Sequence, residues 1–156
     1  MRLLGRPCPR PPRFLGTFVI DFAWARVLGD RVYVSGHGPQ AADGRVVGPF
    51  GRVGLEATPE QAADAARLAT LSVLGSVRRA IGDLDRIVAW LRVDGFVLAA
   101  PGFDRTTHVI NGASRLIIEL FGKEVRDARA YRHGRGGYAA QLPRRHCSGT
   151  GAAAIG

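Results

Sequence analysis

The chain has 156 residues, 46% of them hydrophobic and 22% charged, with a formal net charge of +9. This length suits one domain around a single core, the apolar fraction excludes a wholly disordered chain, and no apolar run approaches the ~20 residues that span a bilayer. The basic charge is no nucleic-acid signature: all 13 Asp+Glu lie at or before Asp127, and four of the 22 Lys+Arg (Arg132, Arg135, Arg144, Arg145) stand in a tail without acids.

The start, through Pro12, is Pro-rich and reads as an extended arm over residues 1–12. Its prolines arrive before any apolar signal segment forms, so the expected location is cytoplasmic. Cys8 and Cys147 sit near opposite ends without ligand spacing, which gives no case for a disulfide framework or a zinc site. Thr17 to Val27 carries β-branched and apolar residues, Gly29-Asp30 signals a turn, and Arg31 to Ser35 alternates as a strand. Together they predict a hairpin. After a second turn at Asp43-Gly44, a short third strand is expected near Arg45 to Val47.

Thr58-Pro59-Glu60-Gln61 is a helix start: Thr58 can cap, Pro59 suits the first position and Gln61 can close a capping box. Ala62, Ala66, Ala69, Val73, Val77 and Ile81 then recur at helical spacing, and Gly82 stops the helix. Asp85 to Ala99 reads as a long strand region. A second helix begins between Asp104 and Thr107, buries Val109, Ile110, Ala113, Leu116, Ile117 and Leu120, and stops at Gly122. The predicted class is α+β, in the order β-β-β-α-β-α, with a mixed sheet covered by two helices. A domain over residues 13–129 is thereby delimited.

A final strand is expected after Arg129, and residues 130–156 do not supply one: they turn abruptly to Ala, Gly and Arg. One reading is a basic disordered tail. The favoured reading is a change of coding frame. Codons compatible with Tyr131 to His146, read one base later, can spell Ile-Gly-Met-Ala-Glu-Val-Ala-Met-Pro-Leu-Asn-Cys-Pro-Val-Asp-Ile, which has strand character.

Several segments in consistent order resemble one family. They are Arg31-Val32-Tyr33-Val34-Ser35-Gly36 with Gly38-Pro39, Gly82-Asp83-Leu84-Asp85-Arg86-Ile87-Val88, Gly95-Phe96-Val97 with Ala100-Pro101-Gly102-Phe103, Val109-Ile110-Asn111-Gly112-Ala113-Ser114, Phe121-Gly122 and Ala128-Arg129. The chain resembles the YjgF family, also called the Rid or imine-deaminase family. Within it, the likeness is to the divergent branch labelled endoribonuclease L-PSP or chorismate-mutase-like. The resemblance implies a chorismate-mutase-like subunit in a homotrimer, with small-molecule clefts between subunits and no cofactor. It also implies hydrolysis of small 2-imino or enamine acids to 2-keto acids and ammonia.

By the same resemblance, Arg129 matches the arginine that holds the substrate carboxylate, while Gly36 and Asn111 match substrate-side positions. Arginine suits that task because its planar guanidinium offers paired donors and stays charged. His37 replaces the family's usual Gln, and the acid expected on the last strand has no counterpart. On residues alone, Gly36 reads equally as a turn glycine, Asn111 as a structural residue and His37 as a surface histidine, although an imidazole there has acid–base capacity near neutral pH. His108, His133 and His146 lack metal-ligand spacing. Two other readings stand beside the deaminase: a non-catalytic ligand-binding or regulatory trimer, and, less favoured, an RNA-cleaving protein.

Overall fold

A computed structural model describes residues 21–130 and 151–155, with side chains given for residues 21–123. The Pro-rich arm, Cys8, Cys147, His133, His146 and the segment over which the frame change was inferred lie outside the described residues.

The hairpin forms as expected. Strands β1 (Ala25–Leu28) and β2 (Arg31–Val34) pair antiparallel, with Val27 opposite Val32 and Gly29 at positive φ in the turn. In β2, Val32 and Val34 are buried while Arg31 and Tyr33 are exposed, the period-2 alternation of a sheet with one covered face.

Helix α1 spans Pro59–Ile81 and carries the full capping box: the Thr58 side chain accepts from the Gln61 backbone N–H, and the Gln61 side chain accepts from that of Thr58. Gly82 ends it at φ 86°, where its N–H bonds back to the Arg78 carbonyl. The stripe that the spacing suggested faces inward, with Ala62, Val77 and Ile81 buried and Ala66, Ala69 and Val73 half-buried, but the buried face is wider than the stripe. Thr70, Ser72, Leu74 and Ser76 are buried as well. Burial on a second side explains the difference, because α1 packs against both the sheet and the second helix.

After a short 3-10 turn (Leu84–Arg86) comes β3, Ile87–Arg92, shorter than the strand region expected over Asp85 to Ala99. Helix α2 spans Thr106–Ala130 and buries Val109, Ala113, Leu116 and Ile117. Gly122, at φ 78° and ψ 167°, is non-helical and separates two helical stretches within this span, so the helix that begins at Thr106 stops there as expected.

Three sheet expectations need correction. No named strand forms at Arg45 to Val47; Arg45 and Val46 stand in isolated bridges, Val46 pairing antiparallel with Gln40. The four-stranded sheet is antiparallel at every pairing, not mixed. And the final strand is not lost: β4, Gly151–Ile155, lies between β2 and β3 in the order β1-β2-β4-β3. Ladder pairing uses backbone N–H and C=O groups and needs no particular side chain, so the small-residue run Gly-Ala-Ala-Ala-Ile can fill a central place despite its weak strand signal. The element order is therefore β-β-α-β-α-β.

The main core lies between sheet and helices: Val32, Val34, Leu74, Val77, Ile81, Leu84, Ile87, Trp90, Leu116 and Ile117. Burying a side chain such as Leu74 or Leu116 contributes roughly 1.5–3 kcal/mol. A smaller cluster of Val53, Ala62 and Val109 packs around the N-terminal end of α1. The two clusters fix opposite ends of α1, and the candidate site lies at the C-terminal end.

Candidate functional site at the exit of strand β2

The backbone leaving β2 is tied down by Ser35. Its N–H donates to the Trp24 carbonyl at 3.1 Å, and its hydroxyl donates to the Ala23 carbonyl at 2.7 Å. These bonds bring Trp24 beside His37, with ring centroids 4.8 Å apart at an interplanar angle of 57°. Phe22 packs on the other side of Trp24 at 4.9 Å.

His37 is half-buried, not a surface histidine, and both ring nitrogens are engaged. Nδ1 lies 2.7 Å from the Ser35 carbonyl oxygen, which can only accept, so Nδ1 carries the proton. In the neutral ring Nε2 then holds the lone pair, and it lies 2.7 Å from Ser76 Oγ. The Ser76 hydroxyl donates to it. Arg79 Nη2 in turn donates to Ser76 Oγ at 2.8 Å. The result is a directional chain from Arg79 through Ser76 and His37 to the Ser35 carbonyl.

Burial pushes the His37 pKa below its ordinary value of 6.5. The bond to the Ser35 carbonyl opposes this, and the Arg79 charge adds to it. The imidazole is therefore neutral at neutral pH and available as a proton acceptor. An open cleft of about 230 Å³, lined by Trp24, Ala25, Ser76, Arg79 and Ala80, borders this chain of bonds. One aromatic wall and one guanidinium suit it to a small planar or anionic ligand. Among the described residues no cluster of His, Cys, Asp or Glu could hold a metal.

The structure separates the residues proposed from sequence. Gly36 and His37 sit together at the β2 exit, but Gly36 does not have positive φ. Asn111 is half-buried near the other end of α1: its neighbour Gly112 lies against Ala63, thirteen residues before Ser76, or about 20 Å of helix. Arg129 lies on the last turn of α2, and its side chain is outside the described residues. His108 pairs loosely with Glu60, at 3.9 Å.

Sequence reasoning missed Ser76 and Arg79. Their i, i+3 spacing puts them on one face of α1, but nothing local says that this face meets residue 37.

No family model matches the chain. A crystal structure of Atu1372 from Agrobacterium tumefaciens, a protein of unknown function, matches with a TM-score of 0.68 and 31% identity, over 87% of this chain and 82% of that one. The chain belongs to the same family as Atu1372. A second crystal structure, of a "putative endoribonuclease" from Shewanella oneidensis, covers 99% of this chain and 97% of its own, with a TM-score of 0.72 and 24% identity. That likeness shows a shared fold. Protein TCP17 of Trypanosoma cruzi is 36% identical over 97 residues, which span 62% of this chain and 59% of that protein. Among the described residues, no helix is long and apolar enough to cross a membrane.

Proposed function

We propose that the protein is a Rid-like hydrolytic deaminase, converting small reactive 2-imino or enamine acids to 2-keto acids and ammonia as a cytoplasmic homotrimer without a cofactor. One observation carries this reading: His37 is neutral and locked in one tautomer, with its Nε2 lone pair held on the hydroxyl of Ser76, which lines a cleft bordered by Arg79. In the reaction, a guanidinium holds the substrate carboxylate. Arg129 is the anchor that the family resemblance suggests, and Arg79 supplies a second guanidinium beside His37. Water adds to the imine carbon as His37 Nε2 takes its proton, and the carbinolamine then collapses as the amine leaves, protonated, as ammonia. Positioning and electrostatics supply the rate, with no covalent intermediate. Gly36 lets the substrate approach the backbone. Asn111, distant from His37 in one subunit, serves the cleft of a neighbour.

Exposed Tyr33, Val88, Phe96 and Leu98 support subunit packing, because large apolar side chains left at the surface are what an interface buries. The test is keto-acid release from enzymatically generated 2-aminoacrylate, with semicarbazide as the competing trap. Wild type should accelerate release and His37→Ala should lose most of that acceleration; a pure, folded protein with no effect sinks the reading.

One observation favours a second reading, a non-catalytic ligand-binding trimer. No carboxylate is among the described residues lining the cleft, so the acid that the family resemblance expects on the last strand has no counterpart there. A 2-keto acid that raises the melting temperature without turnover would select this alternative.

A further inference from the structure

We propose that Ser76 and His37 form a nucleophile–base pair able to hydrolyse small carboxylic esters through an acyl-serine, an activity separate from imine hydrolysis. A serine nucleophile requires a base on its hydroxyl, a group that orients the base, a donor for the oxyanion, and room for the acyl group. The β2 exit and α1 supply all four.

The hydroxyl comes first. Thr70 and Ser72, on the same helix, donate to the carbonyls four residues back, Ala66 at 2.9 Å and Leu68 at 3.1 Å, as helical Ser and Thr commonly do. Ser76 departs from this habit. Its oxygen lies 2.7 Å from His37 Nε2, so its hydrogen is directed at a base rather than at its own helix. The Ser35 carbonyl orients that base, and Ser35 is itself held by two bonds to the Ala23–Trp24 backbone. Arg79 Nη2 donates to Ser76 Oγ at 2.8 Å, so its charge lies near the carbonyl oxygen that becomes the oxyanion, two bonds from Oγ, and is the donor this proposal assigns to it. Ser76 is only 3% exposed, and it lines the cleft beside Trp24. The cleft, about 230 Å³, has room for a small acyl group.

The step balances without a cofactor. Ser76 Oγ bonds to the ester carbonyl carbon while its proton passes to His37 Nε2. The C–O bond to the alkoxide breaks, and the leaving oxygen takes that proton from the imidazolium. Water then attacks the acyl-serine, His37 accepts its proton, and Ser76 leaves with the proton returned. Ester and water give acid and alcohol.

The experiment treats the full chain with a small alkyl fluorophosphonate and reads intact mass, followed by peptide mapping; p-nitrophenyl acetate gives the burst in parallel. We expect one adduct, at Ser76, no adduct in Ser76→Ala, and labelling slowed about 100-fold in His37→Gln, the lower range for loss of a general base. The wild-type rate should rise with pH through the titration of His37, on which Arg79 is the charged group acting, and that limb should vanish in His37→Gln. Ser72→Ala, outside the cleft, should label like wild type. Should Ser76→Ala fail to fold, Ser76→Cys retains the geometry and should be alkylated by iodoacetamide with the same pH limb. An unlabelled folded wild type, an adduct that maps to another residue, or a rate unchanged in His37→Gln overturns the proposal. Because the assay contains no imine, its outcome is independent of the deaminase reading.

Discussion

Gly112 of α2 faces the Ala63 backbone of α1 so closely that a Cβ at residue 112 would overlap the Ala63 carbonyl oxygen. The obstacle is backbone inside a helix and cannot rotate aside. Gly112→Ala would gain about 1 kcal/mol in helix propensity. Overpacking against a fixed neighbour outweighs this gain, so the expected net loss is about 1–3 kcal/mol in urea unfolding. An unchanged or raised midpoint would show that the helices do not cross there.

The burial pattern of α1 yields a paired test. Leu74 is fully buried in the main core, whereas Val73, which helical spacing had placed on the buried stripe, is only half-buried. Leu74→Ala should cost about 2–5 kcal/mol. Val73→Ala removes fewer atoms from a less enclosed place and should cost clearly less. Equal losses would contradict this difference in burial.

His37 makes stability depend on pH. Its folded pKa lies below the ordinary 6.5, chiefly because burial disfavours the cation, with Arg79 adding to the effect. The unfolded chain therefore binds this proton first as pH falls, and stability rises with pH wherever the unfolded state holds more protons. The His37 contribution is fully present above pH 6.5 and is lost as pH falls from there through the lower folded value. Urea unfolding between pH 5 and 8 should show this slope, and His37→Gln should flatten it. An identical slope in the variant would remove His37 as its source.

Strand β4 pairs with β2 on one side and β3 on the other. A chain ending at Thr150 would leave two ladders unpaired in the middle of the sheet, exposing edges that template association. The truncated protein is expected to melt lower and to aggregate in size-exclusion chromatography with light scattering. Unchanged melting and size would refute the central position of β4.

Local signals were legible wherever the chemistry was local. The Thr58–Gln61 capping box, the Gly82 stop, the Gly29-Asp30 hairpin turn and the alternation of Val32 and Val34 are written in neighbouring residues, and each appears in the structure. The β2 exit was legible as a candidate site for the same reason, since Ser35-Gly36-His37 follows a strand directly. The misses share one cause. The third strand reduced to isolated bridges, the buried face of α1 widened beyond its stripe, and Gly151–Ile155 entered the sheet because pairing and burial depend on residues far away in the chain.

By itself, then, the sequence determined the two helices with their caps, the first hairpin and its turn, the two-helix α+β class and the location of one histidine at a strand exit. Only the tertiary structure decided what that histidine does. Ser76 lies 39 positions beyond His37, and their hydrogen bond exists because α1 lies across the end of β2. Ser35 holds Trp24 against the ring, and Arg79 follows Ser76 by one turn. Packing also excludes water from the imidazole and lowers its pKa. Desolvation, tautomer and partner are consequences of long-range contact, which no local pattern encodes.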